Sequence, residues 1–356
     1  MEKKLKKMDL AEIDKNLAVE ATISREGLQF YDAEGEPFRI YGVYKDGGMY
    51  RRFPAEDAAK VSDKVYALHT FTAGGRVRFV TDSPYVAIKT DYTANRKPHF
   101  PLTASGGFDM YAECMEEEEH YVGTFIPPYD VKEGFESIVD FEEEKERMIT
   151  IHFPLYSEVR MLYIGLKDGS VLKKAPDYRI EKPVVFYGSS ITQGGGASRP
   201  GNNYENIISR RLNCNHINLG FSGSARGEAA MAEYISKLDM SVFVMDYDHN
   251  SDTEELRAKH TPFFKIVREA QPQLPIIILP RPRYYLKKDD MVRREIVYKT
   301  YQEAIKAGDK NVYFIGGEKL MELAKGEGSV DYTHPNDFGF HSMARALEEV
   351  LNEIMG

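Results

Sequence analysis

At residues 183–194 the chain reads PVVFYGSSITQG, an apolar run that ends in a glycine and two serines. Such a run is typical of a strand that is buried on both faces, as in a parallel sheet covered by helices. Ligands of these sheets bind outside the carboxyl ends of the strands, and Ser190 falls just after this strand. A hydroxyl becomes a nucleophile when a nearby base removes its proton, so Ser190 is a candidate nucleophile.

The residues after about 180 continue this pattern, since apolar strands alternate with amphipathic helices. The predicted strands are Val184–Tyr187, Ile217–Leu219, Val242–Met245, Ile276–Leu279 and Val312–Ile315. The predicted helices include Ala229–Leu238, Thr253–Ala270, Met291–Ala307 and a last helix that buries Phe340, Met343, Ala344, Leu347, Leu351 and Ile354. This alternation predicts an α/β domain with three α/β/α layers around a parallel sheet.

Residues 20–175 follow a different rule, because apolar and polar residues alternate with a period of two. Turn residues separate the alternating runs, which include 76–80, 86–90, 148–153 and 159–164. Many short strands with such turns are typical of an antiparallel sandwich or jelly roll, and helical periodicity is nearly absent there. The predicted organisation is an extension at 1–20, an all-β sandwich domain at 21–175, a linker at 176–182 and the α/β domain at 183–356.

The composition indicates a cytoplasmic protein without nucleic-acid or membrane partners. A net charge of −9 argues against the basic surface that binds nucleic acids. The N-terminus has lysines but no apolar stretch behind them, which argues against a secretory signal or a membrane span. Cys114 and Cys214 fall in different predicted domains, so we expect free thiols and a reducing compartment.

Three more polar blocks follow predicted strands or precede the last helix. They are Asn218–Gly223, Asp246–Asn250 and Asp331–His334. The last block has the spacing Asp-x-x-His, and a neutral imidazole is the base that can activate a serine near pH 7. A carboxylate behind the imidazole fixes its tautomer and stabilises its cation. Together with Ser190, these blocks indicate a serine hydrolase.

The order of the blocks resembles that of the SGNH (GDSL-type) hydrolase superfamily. Residues 188–192, GSSIT, are similar to the family's Gly-Asp-Ser-Leu block, with Ser189 where aspartate is usual. Residues 107–111, GFDMY, resemble the Gly-x-Asp-Leu-Tyr signature of a β-sandwich domain that precedes SGNH domains in some bacterial proteins. The resemblance implies a flavodoxin-like SGNH domain after a sandwich domain.

The resemblance also implies a role for each matching residue. Ser190 would be the nucleophile, His334 its base and Asp331 the acid that orients the imidazole. The oxyanion hole would consist of the N–H groups of Ser190 and Gly223 and the side-chain amide of Asn250. No metal or organic cofactor is then needed. Taken in isolation, Ser190 could instead be a helix N-cap.

The residues around these blocks are candidates for contacts to the substrate. Asp248 and His249 are two of them, although with Asp246 they also form a weak metal-site pattern. Arg199 and Arg281 lie near predicted strand ends, where they bind either structural carboxylates or oxygen atoms of the substrate.

We predict a serine esterase that removes a short acyl group, with acetyl as the first choice, through an acyl-enzyme. Its expected partner is an acylated oligosaccharide or another small-molecule ester. The alternatives are an acyltransferase that uses the same triad with a non-water acceptor, and an inactive glycan-binding module. The sequence leaves the acyl length, the alcohol and the oligomeric state open, including a homo-oligomer.

Overall fold

The structure, a computed structural model, describes residues 19–114 and 117–356. Within these residues, the first half of the chain forms twelve strands with antiparallel pairings, as the period-two pattern predicts. They are β1 (Leu28–Asp32), β2 (Arg39–Tyr41), β3 (Tyr44–Asp46), β4 (Met49–Arg51), β5 (Arg76–Thr81), β6 (Tyr85–Thr93), β7 (Phe108–Cys114), β8 (Glu117–Phe125), β9 (Gly134–Asp140), β10 (Arg147–His152), β11 (Glu158–Lys167) and β12 (Leu172–Lys173).

Two sheets of this half pack face to face as a sandwich. One sheet has the strand order β1-β11-β6-β9, and the other has the order β12-β5-β10-β7-β8 with β2 also paired to β5. Val77 and Phe79 of β5 lie in the same apolar core as Ile88 of β6 and Ile164 of β11. The side chains of both inner faces therefore fill one core, and the prediction of an all-β sandwich is confirmed.

Three short helices also occur in the first half, so the expectation that helical structure is nearly absent there is wrong. They are α1 (Ala55–Val61), α2 (Asp63–Leu68) and α3 (Leu102–Ser105). Ala58 of α1 and Val65 of α2 are fully buried in an apolar core that the second half supplies. Helices of six or seven residues are too short to be stable alone, so this tertiary contact is what stabilises them.

The second half contains five parallel strands and six α-helices among the described residues, with the strand order β14-β13-β15-β16-β17. The strands are β13 (Ile180–Gly188), β14 (Cys214–Gly220), β15 (Val242–Asp246), β16 (Ile276–Ile278) and β17 (Val312–Phe314). The helices are α4 (Tyr204–Leu212), α5 (Ala229–Ile235), α6 (Thr253–Ala270), α7 (Lys288–Lys306), α8 (Gly317–Leu320) and α9 (Asp337–Met355).

Alternate side chains of β13 enter the two faces of this sheet. Val184 and Phe186 pack with α4 and α9, whereas Val185 and Tyr187 pack with α5, α6 and α7. The three-layer α/β/α prediction is therefore confirmed. β13 begins at Ile180, inside the segment that we predicted as a linker, because Ile180 already pairs with Cys214.

The register of the parallel strands brings three of the polar blocks to one edge. Gly188 at the end of β13 lies beside Gly220 of β14 and beside Asp246 of β15. The loop with Ser190 and the loops after β14 and β15 therefore leave the sheet at the same level, as expected for ligand-binding edges of such sheets.

Asp109, in the middle of the Gly107–Tyr111 signature, connects the two halves. Its carboxylate is fully buried and accepts a hydrogen bond from Nδ1 of His152 at 2.9 Å. It also accepts hydrogen bonds across the boundary from Nη1 of Arg199 at 2.9 Å and from the backbone N–H of Gly201 at 2.8 Å. Although burial opposes ionisation, His152 and Arg199 hold the pKa of Asp109 below its usual value.

A buried arginine makes a second connection at the end of β14. The guanidinium of Arg52, in the first half, donates to the carbonyl oxygens of Asn218 and Gly220 and stacks on the ring of Phe221. Burial lowers the pKa of Arg52 to about 9, so the side chain stays charged at neutral pH. The loop that contains Gly223 thus begins at a point that the first half holds in place.

No helix within residues 19–114 and 117–356 is long and apolar enough to cross a membrane. Cys114 and Cys214 are both free cysteines, as expected. Burial raises the pKa of Cys214 to about 12, which keeps that thiol protonated.

The buried position of Asp109 leads to a stability prediction. In Asp109→Asn the charge that faces Arg199 is lost and an amide N–H₂ meets a donor, so we expect the free energy of unfolding to fall by about 3 kcal/mol. Urea unfolding followed by circular dichroism measures this change. The matched control is Asp177→Asn, which removes an exposed partner of Arg39 and should cost far less, because solvent screens the charges of an exposed ion pair. Equal losses in the two variants would contradict the prediction.

Candidate active site

Ser190 lies in a tight turn directly after β13 and is only 8% exposed. Its carbonyl oxygen accepts a hydrogen bond from the N–H of Gly195 at 2.7 Å. The next helical residues begin at Pro200, so Ser190 caps no helix and the N-cap alternative is wrong. The turn instead holds the hydroxyl at the carboxyl edge of the parallel sheet.

Ser190, His334 and Asp331 form one chain of hydrogen bonds. Oγ of Ser190 lies 2.9 Å from Nε2 of His334, and Nδ1 of His334 lies 2.8 Å from Oδ2 of Asp331. The other carboxylate oxygen of Asp331 accepts the backbone N–H groups of Thr333 at 3.0 Å and of His334 at 2.8 Å. Both ring nitrogens of His334 are therefore engaged, one towards the serine and one towards the carboxylate, which is the geometry that proton removal from Ser190 requires.

The ionisation of Asp331 follows from these contacts. Burial opposes the charged form, but the hydrogen bonds from the backbone and ring of His334 and from the N–H of Thr333 outweigh it and lower the pKa of Asp331 to about 2. The carboxylate is therefore charged at neutral pH and can stabilise an imidazolium that forms at His334.

The predicted oxyanion-hole residues lie on loops that are tied to the Ser190 turn. Phe221 donates its N–H to the carbonyl of Gly188 at 2.8 Å, and Ser222 donates its N–H to Oε1 of Gln193 at 3.0 Å. Gly223 follows with a φ of 68°, a conformation that glycine adopts without strain. The side-chain amide of Asn250 donates to the carbonyl of Phe221 at 3.3 Å, so it belongs to the same loop cluster.

Two of these groups are available as donors. Among the hydrogen bonds of the described residues, none uses the backbone N–H of Ser190 or of Gly223 as a donor. An oxyanion hole needs such unpaired N–H groups, because they stabilise charge only where it develops.

A buried carboxylate supports the Ser190 turn from below. Oδ2 of Asp246 accepts hydrogen bonds from Oγ1 of Thr192 at 2.9 Å and from the hydroxyl of Tyr204 at 2.8 Å. Burial, with a smaller contribution from nearby Asp248, raises the pKa of Asp246 to about 7 against the effect of those hydrogen bonds. Asp246 thus anchors the turn through its Oδ2.

Three of the four predicted substrate contacts are occupied by partners within the protein. Arg199 binds Asp109 and the hydroxyl of Tyr111. The carboxylate of Asp248 accepts the backbone N–H and Nε of Arg281, each at 3.0 Å. Arg199 and Arg281 therefore form structural ion pairs, which is one of the two roles that the sequence left open. The carboxylate of Asp248 is bound by Arg281 and does not point to a ligand.

His249 differs from these three. Its Nε2 is buried without a hydrogen-bond partner, and burial together with neighbouring cationic side chains, Arg281 first among them, lowers its pKa well below the usual value. A neutral imidazole with an unused nitrogen remains a candidate contact to the substrate.

The first half contributes residues to the candidate active site that the sequence did not reveal. The ring of Phe100 lies edge-on to His334 at a centroid distance of 5.0 Å, and the ring of His99 lies 5.4 Å from it. The hydroxyl of Tyr156 donates to the carbonyl of Ser190 at 3.2 Å. These residues occupy loops between the sandwich strands, and no motif in the sequence distinguishes them.

His99, Asp331 and His334 also have the donor atoms for a cation, since their ligand atoms lie within 4.8 Å of one another. Both ring nitrogens of His334 are already hydrogen-bonded in the triad, however. A cation could bind there only by breaking one of those hydrogen bonds.

Exposed aromatic rings border the triad on the side of Asp331. Tyr332, next to Asp331 in the chain, is 49% exposed, and Tyr285 is 64% exposed. Nζ of Lys287 lies 3.9 Å from the ring centre of Tyr332. Tyr332 has a φ of 70°, which a non-glycine residue adopts only where the surrounding structure imposes it.

The comparisons with known proteins cover both halves. Residues 181–352 match the family described as the GDSL-like lipase/acylhydrolase family, and residues 28–172 match the GxDLY family, described as the N-terminus of Esterase_SGNH_hydro-type. Comparison with curated protein sequences finds no match.

Several solved structures have the same two-part fold. A Bacteroides ovatus protein described as a GDSL-like lipase is 27% identical, with 92% of this chain and 98% of that chain covered and a TM-score of 0.83. The salicylyl-acyltransferase SsfX3 from a tetracycline biosynthetic pathway is 22% identical, with 93% and 99% covered and a TM-score of 0.71. A family two carbohydrate esterase from Clostridium thermocellum, in complex with cellohexaose, is 16% identical, with 90% and 99% covered and a TM-score of 0.63.

The triad geometry predicts the effect of Asp331→Asn on ester hydrolysis. An amide cannot stabilise the imidazolium and favours the wrong tautomer of His334, so we expect kcat to fall by about 10⁴-fold with KM nearly unchanged. Steady-state kinetics with an aryl acetate measures both constants. Asp239→Asn, at an exposed partner of Lys182 far from the triad, is the matched control and should leave both unchanged. A loss of less than about tenfold in Asp331→Asn would contradict the assigned role.

The raised pKa of Asp246 predicts a pH dependence of stability. The folded protein holds this proton more tightly than the unfolded chain, so the stabilisation is complete below about pH 4 and is lost as the pH rises through about 7. Asp246→Asn should therefore lose less stability between about pH 5 and pH 8 than the wild type. Urea unfolding at the two pH values tests this. Asp246→Asn should still lose some stability over this range, because burial also raises the pKa of Glu205. An identical loss of stability in the variant and the wild type would refute the raised pKa of Asp246.

Proposed function

We propose that this chain, a member of the GDSL-like lipase/acylhydrolase family with an N-terminal GxDLY domain, is a serine esterase that removes a short acyl group from a carbohydrate. The observation that carries the proposal is the continuous hydrogen-bond chain from Ser190 through His334 to Asp331. An inactive binding module would have no need to hold these three side chains in that order.

The proposed reaction has two steps that share one base. His334 accepts the proton of Ser190 at Nε2 while Oγ attacks the ester carbonyl, and the same nitrogen then protonates the departing alcohol oxygen. A water molecule next attacks the acyl-enzyme while His334 accepts its proton. The bond between the acyl group and Oγ of Ser190 then breaks, the imidazolium returns the proton to Oγ, and the acid is released. Asp331 stays charged throughout and stabilises the imidazolium of both steps.

Charge on the carbonyl oxygen would be stabilised by three neutral donors. We assign this role to the N–H groups of Ser190 and Gly223 and to the side-chain amide of Asn250. The amide would exchange its present hydrogen bond with the carbonyl of Phe221 for one with the oxyanion. Loss of one such donor typically costs about 10²–10³ in kcat.

The proposal of a short acyl group rests on the aromatic side chains beside the triad. Phe100 and Tyr156 pack together at a centroid distance of 4.9 Å, and Phe100 also contacts His334. A side chain at Gly195 would collide with both aromatic residues, so the space between the Ser190 turn and the sandwich is filled. A long acyl chain would have to displace these rings, whereas an acetyl group would not.

The proposal of a sugar alcohol rests on the other side of the triad. Tyr285 is largely exposed, so the apolar face of a sugar ring can stack on its ring, whereas Arg283 and Lys287 already lie over the ring of Tyr332. Carbohydrate esterases among the similar structures fit this assignment, although at 11–17% identity they share only the fold. We also propose a cytoplasmic location, because both cysteines are free.

Transfer of the acyl group to a non-water acceptor is the second candidate. It is favoured by the similarity to a salicylyl-acyltransferase, whose chain aligns over 99% of its length. Hydrolysis is the better proposal because the side chains of His334 and Asp331 are 14% and 35% exposed, so solvent contacts the base that would activate the attacking water.

The proposal is tested with aryl esters of increasing acyl length and with acetylated oligosaccharides. We expect the wild type to hydrolyse the acetates, kcat/KM to fall as the acyl chain lengthens, and Ser190→Ala to lose at least about 10³-fold in kcat. Ser189→Ala, at the neighbouring buried serine, is the matched control and should retain activity within about tenfold.

The outcomes separate the candidate functions. Absence of turnover together with absence of labelling by a serine-directed phosphonate would refute the proposal that the protein is a serine esterase. If ester forms only with an added acceptor, and at a higher rate than hydrolysis, the result would favour the acyltransferase. Activity on aryl acetates but on no acetylated sugar would keep the esterase and overturn the carbohydrate assignment.

A further inference from the structure

A cleft that is separate from the triad lies between the two halves. It has a volume of about 620 Å³, and the strands β5, β7, β8 and β10 line one side while α4 and α9 line the other. Neither Ser190, Asp331 nor His334 belongs to its lining. A volume of this size is typical of sites for small organic ligands.

Arg78 of β5 is the buried cation on the sandwich side of this cleft. It is only 3% exposed, and its Nε and Nη1 have no hydrogen-bond partner. The guanidinium stacks on the ring of Tyr178 at 4.1 Å, which holds it in place without satisfying its donors. The third nitrogen, Nη2, donates to Sδ of Met148 at 3.0 Å, which is a weak acceptor, so hydrogen bonds compensate little of this buried charge.

Arg210 of α4 is the corresponding cation on the opposite side. Its Nη1 donates to the carbonyl of Gly201 at 2.8 Å, and its guanidinium stacks on Tyr111 at 3.9 Å. Neither Arg78 nor Arg210 forms a salt bridge with any residue whose side chain the structure describes. Two guanidinium groups thus face the same cleft from its two walls, each held by a tyrosine ring and neither neutralised by a direct contact with a described carboxylate.

The other charged residues of the cleft are of two kinds. Arg211 is already paired with Glu348 at 3.1 Å. Glu113 and Glu119 line the cleft as well, and burial raises the pKa of Glu119 against the opposing effect of Arg210 and Arg78. Carboxyl groups in such positions suit the hydroxyl groups of a ligand, since hydroxyls donate hydrogen bonds to carboxylates.

We propose that this cleft binds a small polyhydroxylated anion, namely a sugar acid or a sugar phosphate. The anionic group lies between Arg78 and Arg210, while the hydroxyl groups bind Glu113 and Glu119. The half-exposed ring of Tyr121, on which Arg199 stacks, also belongs to the lining. This site does not depend on the proposed esterase activity.

Isothermal titration of the full-length protein tests the proposal with three probes. D-glucuronate and glucose 6-phosphate carry hydroxyl groups and an anion, whereas D-glucose carries the hydroxyl groups alone. We expect a dissociation constant of about 1 mM or tighter for at least one anion, and binding of D-glucose that is weaker by about tenfold or more. Which of the two anions binds distinguishes a carboxylate from a phosphate as the recognised group.

Three arginine variants locate the binding. Arg78→Met and Arg210→Met remove one cation from each wall. Each variant should raise the dissociation constant of the anion by about tenfold or more. Arg78→Met should also remain folded, because replacing an uncompensated buried charge with an apolar side chain is often neutral or stabilising. Arg39→Met is the matched control, since Arg39 pairs with Arg78 in the sheet register but is exposed and does not line the cleft.

Three results would overturn the proposal. These are the absence of binding by both anions, binding of D-glucose as tight as that of the anions, and anion binding that Arg78→Met leaves unchanged.

Discussion

The catalytic edge of this protein depends on the absence of side chains at two strand ends. Gly188 ends β13 and Gly220 ends β14, and the two lie side by side in parallel register. A Cβ atom at Gly188 would collide with Thr192 and the carbonyl of Asp246, and one at Gly220 would collide with the backbone of Gln193. The turn that presents Ser190 can therefore pack onto the sheet only over glycines, and the positions of the other catalytic loops follow from this packing.

The sandwich half is a structural part of the active site. Its Asp109 holds the segment around Arg199, its Arg52 binds the end of β14, and its Tyr156 binds the carbonyl of Ser190 itself. Because buried polar groups need partners, each of these contacts fixes a loop that would otherwise be free to move. The Gly-x-Asp-Leu-Tyr signature thus has a physical meaning here: its carboxylate joins the sandwich to the catalytic half.

Two buried charged side chains at the boundary between the halves, Asp109 and Arg78, have different hydrogen-bond environments. At Asp109 both carboxylate oxygens are satisfied, so the charge rigidifies the interface. In the cleft along α4, the guanidinium of Arg78 is similarly buried but lacks acceptors for two of its nitrogens. The first arrangement has the properties of a structural joint, and the second has those of a binding site.

The sequence by itself determined the two fold classes and the strands and long helices of the second half, because period-two and period-3.6 patterns are local properties. It also predicted Ser190, His334 and Asp331 as a triad, from the Asp-x-x-His spacing and the order of the polar blocks. It did not determine α1 and α2, which packing against the second half stabilises, nor that ion pairs with carboxylates occupy Arg199 and Arg281. Only the tertiary structure decided that His99 and Phe100 border His334 and that Arg78 and Arg210 face one cleft. Contacts between residues far apart in the chain depend on how the sheets pack, and no local pattern records that packing.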